Sequence, residues 1–220
     1  MRGLVLKDIF GVRFHMFGAL ALMVIPLVTV FVGIEGMDGA PVQLQLLLGG
    51  IFDYVEVTLC SSFLVNTLGY DERSGWAKIQ RTMPLTGGKI IGAKFLAMGL
   101  ILAMLTVMSL VVNILYAVIF GILLEGMIAL PLVMCMIQAI ALSPTFALGY
   151  RFGAKSVTAA YIVIMVVLAA AMIGLIIPII CGNITAAAIR IICYAVLPAV
   201  TAAVVSVSWI TGKSAVEVDI

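Results

Sequence analysis

Asp53 and Glu56 come closest to chemistry, by type and spacing, of any residues in this chain. They stand three apart, so on a helix both carboxylates share one face. The run around them is apolar, and counting about 1.5 Å per residue back from Tyr70 puts them roughly 25 and 20 Å inside it. Ionisable groups at that depth are costly and usually face a cavity or a partner. By depth, Arg190 is the nearest candidate counter-ion. Two readings stand side by side. One is a neutral or proton-sharing pair that hydrogen-bonds a neighbouring helix. The other is a site offering negative charge to a proton, a cation or a cationic ligand.

Other chemistries lack their parts. His15 is the only histidine, so Ser–His nucleophilic catalysis and HExxH zinc chemistry are both incomplete, and no GxSxG occurs. Thr211-Gly212-Lys213-Ser214 has the ending of a phosphate-binding loop. That pattern needs a glycine at 207, where Val207 stands, and a strand before it, where an apolar run stands. Cys60, Cys135, Cys181 and Cys193 have no CxxC spacing. They read as free thiols, with a Cys181–Cys193 disulfide on the outer side as the alternative. Asn113, Gln138, Ser143 and Thr145 read as hydrogen-bonding glue between helices. No metal or cofactor site is expected on this chain, and no enzyme activity.

Charge is sparse and unevenly placed. Seven of the 22 charged residues fall in YDERSGWAKIQRTMPLTGGKIIGAK, residues 70–94: Asp71, Glu72, Arg73, Lys78, Arg81, Lys89 and Lys94. Asp71 or Ser74 is placed to cap a short helix there, and Pro84 to stop it by excluding the α conformation at Met83. Trp76, Ile79 and Met83 share one face of that helix, with Lys78 and Arg81 on another. Physics alone leaves two roles open: a solvated loop gripping anionic headgroups, or a docking helix for another protein.

The elements that position these residues follow from composition. Apolar residues make up 65% of the chain and charged residues 10%, against about 45–50% and about 25% in a soluble domain. Lipid is the solvent that stabilises such a composition. Six stretches are long enough to span a bilayer, at about 16–33, 43–68, 95–120, 127–149, 157–180 and 189–211. Gly36, Gly39 and Pro41, then Pro84, Gly87 and Gly88, then Gly121 and Gly126, then Gly153, then Gly182 and Asn183 punctuate them. With the N-terminus inside, eleven of the twelve Lys and Arg residues are cytoplasmic and only Arg190 lies outside, a strong positive-inside bias. Residues 2–17 read as an interfacial helix, with Lys7, Asp8, Gly11 and His15 on one arc and Val5, Ile9, Val12 and Met16 opposite. The expected fold is one all-α membrane domain over residues 1–220, with six spans and both termini cytoplasmic.

Three motifs carry a resemblance. Asp71-Glu72-Arg73-Ser74-Gly75-Trp76, then Met83-Pro84-Leu85-Thr86, then Ile90-Ile91-Gly92-Ala93-Lys94-Phe95-Leu96 resemble the small six-span permeases of the ABC-2 type transporter family. The start GLVLKDIF is similar to that family's opening. Met83 stands where the family usually has Leu, and Gly87-Gly88 where a basic residue is frequent.

The resemblance implies the membrane subunit of a bacterial ATP-driven exporter in the plasma membrane, a homodimer or related heterodimer. Its cargo would be amphipathic or hydrophobic, with a peptide favoured. The loop helix between spans two and three would be a coupling helix that docks an ABC ATPase subunit, through Asp71, Glu72, Arg73, Trp76, Ile79 and Met83. ATP–Mg would sit on that partner and none on this chain; the lipid bilayer is the other expected contact, and nucleic acid is not. In this reading Asp53 and Glu56 are the candidate pathway residues, lining the dimer pathway and offering negative charge to cationic, amphipathic cargo; the alternative is an ion-coupled secondary transporter or channel using the same pair.

Overall fold

The computed structural model describes residues 3–11, 58, 62, 65–76, 79, 86–120, 124–180 and 191–218. Every regular element among them is a helix. We number them α1 (residues 3–11), α2 (65–73), α3 (Gly87–Phe120), α4 (Leu124–Phe152), α5 (Ala154–Ile180) and α6 (Leu197–Val218). Among the described residues, three stretches are long and apolar enough to cross a membrane: Gly87–Leu115, Ile128–Phe152 and Ile192–Val216. The expected span at 16–33, most of that at 43–68, and Asp53, Glu56 and Met83 lie outside the described residues.

Helix α4 is the centre of the bundle and packs against α3, α5 and α6. The largest apolar core joins Val65 and Leu68 of α2, Met98, Ile101 and Leu105 of α3, Met134, Ile137, Leu142 and Phe146 of α4, and Val157, Tyr161 and Met165 of α5. Small residues set the spacing. A Cβ on Gly149 would stand 2.4 Å from a Val157 methyl, and one on Gly212 would stand 3.2 Å from Ile91 and 3.7 Å from the Ala147 backbone. Close approach of this kind, rather than water exclusion, drives helix association in lipid. Helix α6 turns most of its apolar surface outward, with Val200, Val207, Trp209 and Ile210 exposed.

The boundaries differ from the sequence expectation in instructive ways. Helix α3 begins at Gly87, eight residues before the expected span. The Gly87-Gly88 pair reads as a break, yet glycine is tolerated in a first turn. The Thr86 carbonyl accepts the amides of Lys89 (2.8 Å) and Ile90 (3.3 Å) to start the helix. Asp71 is likewise not an N-cap: it lies inside α2, which runs on to residue 73. That helix ends because Gly75 adopts φ +72°, the left-handed conformation glycine allows at a helix C-terminus. Arg73 Nε bonds back to the Gly69 carbonyl at 3.1 Å, satisfying one of the last acceptors. A new helical turn starts at once, with the Ile79 amide on the Gly75 carbonyl at 3.2 Å.

Gly153, at φ +84°, makes the turn between α4 and α5 where a break was expected. Ahead of α6, residues Ile192–Val196 form a π turn in which the Leu197 amide reaches Ile192 O. Pro198 explains it, because it has no N–H for Tyr194 and its ring would collide with that carbonyl in a regular α-helix.

Polar groups inside the bundle are satisfied locally or across helices. Ser143, Thr145 and Thr106 hydroxyls donate to carbonyls four residues back. Gln138 Nε2 donates to Thr58 Oγ1 at 2.8 Å, and the Tyr161 hydroxyl donates to Gln138 Oε1 at 3.3 Å. Gln138 is therefore glue between helices, as its place in a span suggests. Cys135 and Cys193 carry free thiols.

Candidate functional site

One end of the bundle gathers the N-terminus, the end of α2, the start of α3, the α4–α5 turn and the C-terminal end of α6. A Cβ on Gly153 would stand 3.7 Å from the Glu72 carboxylate, and one on Gly88 would stand 3.6 Å from the Lys213 stem. Ile90 and Ile91 of α3 pack with Val216 of α6 and with Tyr150 of α4. Arg73, Lys89, Arg151 and Lys213 are all exposed here.

At the centre of this end lies an ion cluster. Lys94 Nζ stands 2.7 Å from Asp8 Oδ1 and 2.7 Å from Asp71 Oδ2. The other Asp71 oxygen accepts a hydrogen bond from Lys7. Lys7 is 4.0 Å from Asp8 and lies over the Trp76 ring, 4.8 Å from its centroid. Lys94, Asp8 and Asp71 are buried, at 4%, 5% and 4% exposure. Two ammonium groups and two carboxylates balance, which is the condition for holding charge away from water. Burial is the larger influence on Asp8 and raises its pKa above the ordinary 3.8, with Lys94 pulling the other way.

Folding builds this cluster from three separate segments. Helix α1 buries Leu4, Val5 and Asp8 and leaves Leu6 and Phe10 exposed, so its inward face differs from the arc that the sequence pairs with Lys7 and Asp8. Asp8 faces the protein interior. Leu4 and Val5 meet Ala93 and Ala97 of α3, with Ile9 and Trp76 packed at the edge. The two alanines let α1 approach α3, and Lys94 sits between them.

The expected docking residues divide. Glu72, Arg73 and Ile79 are exposed; Asp71 is buried in the ion cluster; Trp76 is half-buried against α1 and α3. The indole Nε1 of Trp76 and the hydroxyl of Tyr150 are sealed from solvent without a hydrogen-bond partner. Tyr150 nonetheless lies within electrostatic reach of Asp8 and Asp71.

The hub role of Lys94 escapes a sequence reading that counts it among the loop charges. A signal was present, since Lys94 is a lone cation in the otherwise apolar run Ile90–Met98, and such a residue normally has a partner. Lys7-Asp8, Asp71 and Lys94 belong to motifs far apart in sequence, and they meet here. The Thr211–Ser214 run lies inside α6, with Thr211 Oγ1 on the Val207 carbonyl and Ser214 Oγ on the Thr211 carbonyl. Gly212 there serves helix packing.

The family described as ABC-2 family transporter protein matches residues 3–214. No curated protein and no solved structure matches the chain. The match runs from α1 through the ion cluster and the apolar helices into the last turns of α6, and the chain belongs to the ABC-2 type transporter permease family.

Proposed function

We propose that this chain is the membrane half of an ATP-driven exporter, carrying an amphipathic or hydrophobic cargo, with a peptide favoured, out of a bacterial cell. Family membership supports the permease role and implies an ABC ATPase partner and contact with lipid. A second permease copy, identical or related, completes the pathway in this reading. The partner holds ATP–Mg and hydrolyses it.

One observation carries the proposal. Asp71, five residues before Trp76, and Lys94, eight residues after Thr86, are bonded together, so α2 and α3 are joined at the two ends of this charged stretch. A partner that pushes on this segment therefore pushes on α2 and α3 at once. The exposed cations Arg73, Lys89, Arg151 and Lys213 around it favour the cytoplasmic side, where an ATPase works. Glu72, Arg73 and Ile79 are the contact residues of this surface, with Met83 assigned to it by the family motif. Asp71 and Trp76 hold the segment from behind. Leu6 and Phe10, exposed on α1, rest among headgroups.

The test uses inverted membrane vesicles containing this chain and its ATPase subunit, with a fluorescent amphipathic peptide outside. ATP should drive accumulation, and an ATPase subunit disabled in its nucleotide site should abolish it. Accumulation that ignores ATP and follows an imposed ion gradient contradicts the reading and favours the ion-coupled alternative.

A further inference from the structure

We propose that Lys94 is a positioning residue that makes α1 part of the moving unit, so that α1, the loop and the start of α3 travel together when the ATPase acts. The inference rests on the permease reading above and adds a mechanical role that docking alone does not require.

Lys94 bonds Asp8, 86 residues away in sequence, and Asp71, 23 residues away, while Lys7 bonds Asp71 across 64. Three segments are thus joined through charged groups, of which Lys94, Asp8 and Asp71 are buried and Lys7 is half-buried. Buried ion pairs are a poor source of stability, because apolar residues of like size often serve as well or better. Their distinguishing property is that they resist being pulled apart: separating one leaves an uncompensated charge out of water. Apolar contacts such as Leu4 and Val5 on Ala93 and Ala97 can slide and repack. The ion cluster cannot slide without breaking. Lys94 is the only member touching both carboxylates at 2.7 Å, so it fixes α1 and α2 to α3 in one register.

The cluster also explains why Trp76 is held. Its ring lies beneath Lys7, which is in turn bonded to Asp71. The first turn of the loop is therefore referenced to the same ions. A displacement of the loop reaches α1 through two routes, the Lys7–Trp76 contact and the shared carboxylate of Asp71.

The experiment compares the unaltered chain with the double variant Asp8→Leu/Lys94→Met, each purified with its ATPase subunit in lipid. The double change removes one opposite-charge pair and leaves Lys7 with Asp71, so charge balance is preserved, and circular dichroism with thermal unfolding checks that the variant is folded. Spin labels at the exposed positions Leu6 and Leu100 report the distance between α1 and α3. Measurements are made without nucleotide and with the ATPase trapped by vanadate.

In the unaltered chain the Leu6–Leu100 distance should stay constant on trapping, within about 1 Å. In the double variant it should shift or broaden by several ångström, and peptide-stimulated ATP hydrolysis should fall about tenfold. A distance that changes equally in both proteins, or stimulation that survives in a well-folded double variant, overturns the inference. Failure of the ATPase subunit to assemble with the unaltered chain instead overturns the permease reading itself.

Discussion

The Lys94 ammonium and the Asp71 carboxylate lie 2.7 Å apart, both buried, and between them the chain makes its excursion through the charged loop. That pairing turns the loop into a closed handle rather than a tether with two independent ends. Among the described charges of the loop, Glu72, Arg73 and Lys89 are exposed, whereas Asp71 and Lys94 are withdrawn from solvent to hold it. The concentration of charge in residues 70–94 therefore serves two purposes. Exposed Glu72, Arg73 and Lys89 face outward, and buried charges fix the loop's geometry.

Asp71 should matter more to stability than Asp8. Asp71 bonds both Lys94 and Lys7, whereas Asp8 has one close partner. Breaking a buried pair by removing one partner costs about 3–5 kcal/mol. Asp71→Asn is expected near that range and Asp8→Asn well below it, as read from thermal unfolding in detergent. Equal losses would mean that the two carboxylates share the cluster evenly.

The pH dependence of Asp8 has an unusual sign for a carboxylate beside a lysine. Its folded pKa lies above the ordinary 3.8 because burial outweighs the attraction of Lys94. The folded state then holds the Asp8 proton to higher pH than the unfolded state does, so its contribution to stability is largest below 3.8 and declines as pH rises through the folded pKa. Subtracting the unfolding midpoint of Asp8→Asn from that of the unaltered protein isolates it. The difference should fall with rising pH across that window and then level off; a rise would show that ion pairing outweighs burial.

Much of the fold is legible in the sequence, because apolar runs and glycine breaks dominate it. The α4–α5 turn at Gly153 falls where the punctuation puts it, and Gln138 serves as expected. The start of α3 and the interior position of Asp8 are hidden for different reasons. The Gly87-Gly88 pair reads as a break although the Thr86 carbonyl starts the helix there, and Asp8 is neutralised by Lys94, far away in sequence, where local periodicity assigns charge to solvent. Lys94 looks like a loop residue until Asp8 and Asp71 are brought to it.

Gly149 should tolerate no side chain. A Cβ there would meet the Val157 methyl at 2.4 Å and Leu68 at 3.1 Å, and overpacking of this kind costs about 1–3 kcal/mol. Gly149→Ala should be destabilising, and Val157→Ala added to it should recover part of the loss. The checking measurement is a double-mutant cycle on thermal unfolding. Strict additivity would contradict the contact.

Two tyrosines should respond oppositely to loss of their hydroxyls. Tyr161 bonds Gln138 Oε1 and the Thr58 carbonyl, so Tyr161→Phe should cost about 1 kcal/mol. The Tyr150 hydroxyl is buried without a partner, so Tyr150→Phe should be neutral or slightly stabilising. A large loss at Tyr150→Phe would reveal a bond that forms in another state of the protein.

The central claim is that the end of the bundle carrying the loop meets the ATPase, and site-specific photocrosslinking tests it most directly. A photoreactive residue at Ile79, exposed on the loop, is compared with one at Ile191, exposed just ahead of the π turn that leads into the sixth helix. Irradiation of native membranes should join Ile79, and not Ile191, to the subunit that labels with azido-ATP. Capture of that subunit from Ile191, or none from Ile79 in an assembled complex, would contradict the account.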